Sequence, residues 1–328
     1  MRNSPRALGA LVLTAGLAVV LAACGSSGSS GSGTATTSPA GSTATIASKL
    51  VLGGPPECPT RPYCEKGLKD TYGLNFKSFT PLDIGPLTAA ALEQNKIQLG
   101  TQLTTSGVIA SKGWVLLKDD KKLQPADNVT PVIRSEIADK YGTAMADLVN
   151  AVSAKITTAV LTDLNKQTDI DQKDPDDVAM SWLESENLIP ASKPAAIPGP
   201  TIVVGSAKFP ENETLADIYA DMLKANGYNV SKKLNIGSRE IYFPALKNNQ
   251  ISFLPEYAGS LLTFIDAKKP ATTNTDTNAT QLAAVLKPLK LTALDPSPAQ
   301  DINGFVVTKA TADTYHLVNL SDLAKAAS

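Results

Sequence analysis

GSREIYFPALKNNQISFLPEYAGSLL, residues 237–262, decides how the chain reads. Gly237-Ser238 is a turn and a helix N-cap, and Ile241, Ala245 and Leu246 recur at helical spacing. Ile251-Ser252-Phe253-Leu254-Pro255 follows as a short strand that Pro255 ends, leaving Glu256 and Tyr257 at its carboxyl end. Ligands of open α/β sheets bind at that edge. Tyr257 then offers a ring to a binding crevice, and Gly259 leaves room beside the backbone. The pattern by itself favours Tyr257 packed in a core.

The rest of the chain is compatible with a large binding fold and with little else. Its 328 residues are enough for two domains, 43% are hydrophobic, and the formal net charge is −1, so no charge excess points to nucleic acid. His316 is the only histidine, placed in a surface turn after Tyr315, so no histidine metal cluster can form and a Ser-His-Asp triad would depend on that one residue.

Residues 1–23 read as an export signal. Arg2 and Arg6 precede an apolar run, Ala7 to Ala23, that is too short and alanine-rich for a transmembrane helix. Cys24 directly after Leu21-Ala22-Ala23 resembles the lipobox of bacterial lipoproteins, which implies cleavage before Cys24 and diacylation of its sulfur. Loss of 1–23 removes two of the 30 basic residues and none of the 31 acidic ones, giving 28 − 31 = −3. Residues 24–48, rich in Gly, Ser, Thr and Ala, cannot bury enough surface to fold. They form a flexible tether reaching about 25–30 Å.

An exported chain with two cysteines left, Cys58 and Cys64, most simply joins them as a disulfide. Two thiols without a nearby histidine make a poor metal site. Between them Arg61, flanked by Pro59 and Pro62, is held at a loop tip with five forked donors suited to a carboxylate. Strands at 50–54, 75–79, 97–99 and 114–117 alternate with helices at 67–72 and 86–95. Residues 135–189 are helical, with a stripe of Ile137, Tyr141, Met145, Leu148 and Val152, a cap at Thr157-Thr158, and Asp174-Pro175 opening a third helix. Residues 190–200, PASKPAAIPGP, are a semi-stiff linker of at most about 35 Å.

Three runs, Thr201 to Asn212 (TIVVGSAKFPEN), Gly237-Ser-Arg-Glu and Pro255-Glu-Tyr-Ala-Gly, resemble the substrate-binding proteins of ABC importers for glycine betaine, choline and carnitine. The resemblance covers nearly all of 49–189 and 201–328, but in reversed order. Thr201 onward resembles the start of the family's mature chain, and Leu320 to Ser328 would there run straight into Leu50-Val51-Leu52-Gly53-Gly54. This implies an α/β fold, the two-lobe periplasmic-binding-protein-like type II fold, in circularly permuted order. Lobe two is 49–131 plus 301–328, and lobe one is 132–300, containing the linker.

The same resemblance places a ligand in the inter-lobe cleft, with Arg61 gripping its carboxylate and Tyr257 as one wall of an aromatic box for its quaternary ammonium. Lys208 stands one position from the family's lysine, and Phe209 is a substitute ring. Leu103, Asp127 or Asn128, and Asn303 or Gly304 occupy positions where relatives carry further tyrosines. Thr104, Thr105, Asp127, Asn128 and Asn303 then supply polar contacts. The implied protein is a monomer without enzymatic activity, cofactor or metal, anchored through Cys24 to the outer face of the bacterial plasma membrane. It captures a betaine-like zwitterion and delivers it to the ABC permease. A sensor of the same fold, signalling to a membrane receptor, is the alternative.

Overall fold

The computed structural model describes residues 44–192 and 194–327. The export signal, Cys24 and most of the tether lie outside them. The strands are β1 Val51–Gly54, β2 Ser78–Pro81, β3 Leu99–Leu103, β4 Val115–Leu117, β5 Val129–Arg134, β6 Ile202–Gly205, β7 Val230–Lys233, β8 Phe253–Tyr257, β9 Leu291–Ala293 and β10 Asn303–Val307. They form two five-stranded sheets, ordered β2-β1-β3-β10-β4 and β7-β6-β8-β5-β9.

Each sheet has a parallel part built from βα units and an antiparallel part. β1 runs parallel to β2 and β3, and β6 to β7 and β8. β10 is antiparallel to β3 and β4, and β5 to β8 and β9. The sheets are therefore more mixed than the alternation of strands and helices implies. β5 and β10 follow the two crossings between the lobes, so neither is bound by the crossover geometry that makes βαβ strands parallel.

Pro255 does not end its strand but sits in the middle of β8, opposite Pro131 of β5. Backbone bonds from Ala258 N to Asn128 O and from Arg134 N to Ser252 O bracket the pair. Alternation along an antiparallel ladder then makes Pro131–Pro255 a pair that exchanges no bonds, so the two missing N–H groups cost nothing there.

Both lobes have their own core. In lobe one the helix Pro210–Ala225 is buried along most of its length. Tyr219 packs on Phe253 with ring centroids 5.4 Å apart, and its hydroxyl meets Ser153 Oγ at 2.9 Å. Pro210 opens the helix where no N–H is needed, and Glu211 and Glu213 complement its positive end. In lobe two Leu50, Leu52, Leu99 and Phe305 form the centre. Cys58 and Cys64 are joined as a disulfide.

Local signals act largely as their chemistry dictates. Thr157 caps the helix Thr158–Asn165 by accepting from Val160 N, and Asp174 caps Pro175–Ser185 by accepting from Asp176 N. The helix Ser135–Lys155 breaks at Gly142, whose φ of 66° a glycine adopts freely. Ile241 departs from its expected stripe and is 57% exposed, because Tyr242, Phe243, Ala245 and Leu246 take the buried face.

The two ends of the described chain meet. Ile46 N donates to Lys325 O at 2.9 Å, and Ala327 N to Ala44 O at 2.8 Å.

A seam beside the second crossing also joins the lobes. Asn165 Nδ2 donates to Thr105 O at 2.8 Å, and Thr162 Oγ1 to Thr104 O at 3.2 Å. A Cβ on Gly107 would lie 2.6 Å from Lys166 N and 2.7 Å from Asn165 C. Backbone cannot give way as a side chain can. Gly107→Ala is expected to cost about 1–3 kcal/mol in denaturant unfolding. An unchanged midpoint would show that the seam is looser than this packing.

Candidate functional site

The chain crosses between the lobes twice, just before β5 and just before β10, and polar side chains pin both crossings. Thr104 Oγ1 donates to Gln300 O at 2.6 Å and accepts from Ile302 N at 3.1 Å. Thr105 Oγ1 donates to Asp301 Oδ1 at 2.9 Å. Asn128 Nδ2 donates to Ser297 O at 2.8 Å, and its Oδ1 accepts from Thr275 Oγ1 at 2.9 Å.

A cavity of about 530 Å³ opens against these crossings. Lobe two contributes Tyr63, Leu103 and Asn303, lobe one contributes Arg239, Ser260 and Phe264, and the crossings contribute Asp127 and Asp301. A solute here touches both lobes.

Arg239 and Glu256 set the electrostatics of the lobe-one wall. Arg239 begins the helix Arg239–Lys247, Glu256 lies in β8, and the guanidinium donates from Nε at 3.1 Å and Nη2 at 2.9 Å to the two carboxylate oxygens. The Glu256 side chain is 0% exposed. A buried charge stripped of its partner typically costs about 3–5 kcal/mol, so this carboxylate can stand in β8 only while Arg239 covers it. The guanidinium also lies over the Phe264 ring, 6.0 Å from its centroid.

Asp127 is held by Ser260, whose backbone N donates at 2.9 Å to Oδ1 and whose hydroxyl donates to Oδ2. Burial raises its pKa against those bonds. Asp301 is pushed up to about 7, by burial first and then by the nearby Glu211, with Asp127 adding repulsion. Glu211 accepts from the Tyr257 hydroxyl and, at 2.6 Å, from Asn165 Nδ2, and burial raises its pKa as well. Three carboxyl groups thus stand in or beside the cavity with their charge poorly solvated.

The expected site residues divide under this geometry. Asp127 and Asn303 line the cavity. Thr104, Thr105 and Asn128 instead fix the crossings through the bonds above. Arg61 does not reach the cavity. It is 64% exposed and pairs with Glu57 at 3.2 Å, because the bridged loop turns it to solvent, where a helix-spaced carboxylate holds it without desolvation. Tyr63, two residues on, faces the cavity in its place.

Tyr257 is core rather than cavity wall: it ends a fully buried strand, is 6% exposed, and commits its hydroxyl to Glu211. Phe209 lies against it at 6.1 Å between centroids and lines a second cavity of about 250 Å³ that also touches Asp301. Lys208 is exposed and lines neither.

Arg239, Ser260, Phe264, Gln124 and Asp301 are among the cavity residues to which sequence pattern assigns no ligand contact. One signal was available for Arg239: a glutamate inside the apolar run ISFLPEY requires a buried cation, and Arg239 is close by in the chain.

A model of the family described as the substrate binding domain of ABC-type glycine betaine transport systems matches residues 40–185 and 200–328. The chain belongs to this family. Its members are binding domains, not enzymes. The chain is 31% identical over 122 residues to the carnitine transport binding protein OpuCC of Listeria monocytogenes, covering 37% of this chain and 39% of that protein. It is 31% identical over 136 residues to the glycine-betaine-binding protein of Pseudomonas aeruginosa, covering 41% and 43%. The chain spans about two fifths of the length of these curated relatives. Among solved structures, a glycine betaine/carnitine/choline ABC transporter protein aligns at 27% identity and TM-score 0.38, over 43% of this chain and 51% of that one.

Asp301 makes the fold sensitive to pH. Its folded pKa of about 7 lies above the ordinary 3.8, so the folded chain holds this proton more tightly than the unfolded chain. That contribution is fully present below about pH 4 and is lost as pH rises through 7. Unfolding free energies at pH 5 and pH 8 should therefore differ less in Asp301→Asn than in the unaltered protein, by about 2–3 kcal/mol. An identical difference in both would contradict the shift.

Proposed function

We propose that the chain is the solute-binding component of an ABC importer, exported and held at the outer face of the membrane by a lipid on Cys24. It captures a small ammonium-bearing solute between its lobes and hands it to the permease. The observation that carries this reading is a cavity walled by both lobes in a chain whose two halves both match the family. A ligand touching both walls favours the closed state by its differential contacts.

The reading includes a circular permutation, with lobe one as 132–300 and lobe two as 49–131 plus 301–328. Its support is the meeting of Ala44 with Ala327 and the two matched blocks on either side of residues 190–200. Chain ends that lie together at a surface can be joined and recut elsewhere at little cost. The ligand's carboxylate, where it has one, is not held by Arg61 in this arrangement. Arg239 is the cation at the cavity.

A thermal-shift screen of betaine, choline, carnitine, ectoine and simple amines tests the proposal. A true ligand at about 100 times its Kd should raise Tm by about 5–10 °C. No shift with any solute would contradict a binding role, and membrane retention of processed Cys24→Ala would contradict the lipid anchor.

A further inference from the structure

The cavity's charged lining does not balance. Among the described residues Arg239 is its only lysine or arginine, and Glu256 already occupies its Nε and Nη2 donors. Neither Asp127 nor Asp301 has a salt-bridge partner among the described residues, although the Arg239 charge attracts Asp127 and partly offsets the effect of its burial. One oxygen of Asp127 accepts from Ser260 N and the other from its hydroxyl. Asp301 accepts only from Thr105, through Oδ1, so Oδ2 has no hydrogen-bond donor among the described residues. The adjoining 250 Å³ cavity, which shares Asp301, adds Asp169 and Glu211 and no lysine or arginine.

Aromatic surface is scarce in the same space. Tyr63 and Phe264 are the rings lining the larger cavity, and the Arg239 guanidinium already lies over Phe264. Tyr257 is sealed behind Glu211, and Leu103, Asp127 and Asn303 supply aliphatic or polar surface. A trimethylammonium group, which has no N–H to donate, finds no box of rings and only Coulombic attraction, without hydrogen bonds, from the open acceptors.

Given the reading of this cavity as the solute site, we propose that it selects a small net-cationic amine bearing N–H donors, a primary ammonium or guanidinium compound, over its quaternary counterpart. Asp301 Oδ2 is the principal acceptor, and Asp127, Asn303 and Gln124 supply further polar contacts. A site built to accept hydrogen bonds discriminates against an analogue that cannot donate them, because its acceptors then lose water and keep only the Coulombic attraction.

Stepwise methylation of one probe tests this. Calorimetric titrations would use ethanolamine, N-methylethanolamine, N,N-dimethylethanolamine and choline, all cationic at pH 7.5 and differing chiefly in N–H count and bulk. Affinity should fall across the series, by tenfold or more from ethanolamine to choline. Asp301→Asn should weaken ethanolamine by about tenfold while leaving choline within about threefold, a difference that general loosening of the fold would not produce. Choline binding as tightly as ethanolamine, or more tightly, would overturn the inference while leaving the solute-binding role intact. Failure of the whole series to bind would also overturn it. The broader reading falls with it only if neutral, zwitterionic and anionic solutes fail as well.

Discussion

A carboxylate buried in a strand constrains the rest of the site. Glu256 has no exposed surface, so β8 can form only if a cation reaches it from elsewhere. The turn at Gly237-Ser238 starts a helix whose first residue, Arg239, lays its forked donors across both oxygens. Residues 237–262 are thereby closed on themselves, helix against strand. The next helix, Ala258–Ile265, then starts at a fixed place and presents Ser260 to Asp127 on the first crossing. One ion pair thus links the βα unit, the crossing and the cavity wall.

The crossings depend on short side chains in the same way. Thr104 and Thr105 close β3 against the segment before β10 with bonds between residues almost 200 positions apart. Their cost is electrostatic. Asp301, Asp127 and Glu211 are brought close enough to repel, and burial together with Glu211 pushes the Asp301 pKa up to about 7. A binding site can tolerate such crowding because a cationic solute relieves it.

Local chemistry was the legible part of the sequence. The caps at Thr157 and Asp174, the linked cysteines and the alternation of strands with helices each follow from neighbouring residues, and the three motif runs pointed to the family the chain belongs to. The misplaced features depend on distant partners. Pro255 stays inside a strand only because Pro131, more than a hundred residues earlier, faces it in a non-bonded register. Tyr257 turns inward because Glu211 accepts its hydroxyl, and Arg61 stays outside because Glu57 holds it in solvent. No spacing rule contains those partners, so a motif can place a residue near the cleft without deciding which way it faces.

The account rests on the solute lying between the lobes against the crossing carboxylates. A crystal structure of residues 44–328 with a bound amine tests that most directly. It should place the ammonium nitrogen about 3 Å from an oxygen of Asp301 or Asp127, with Tyr63 or Asn303 on one side and Arg239 or Ser260 on the other. An amine bound outside this cavity, or in contact with one lobe only, would contradict the account.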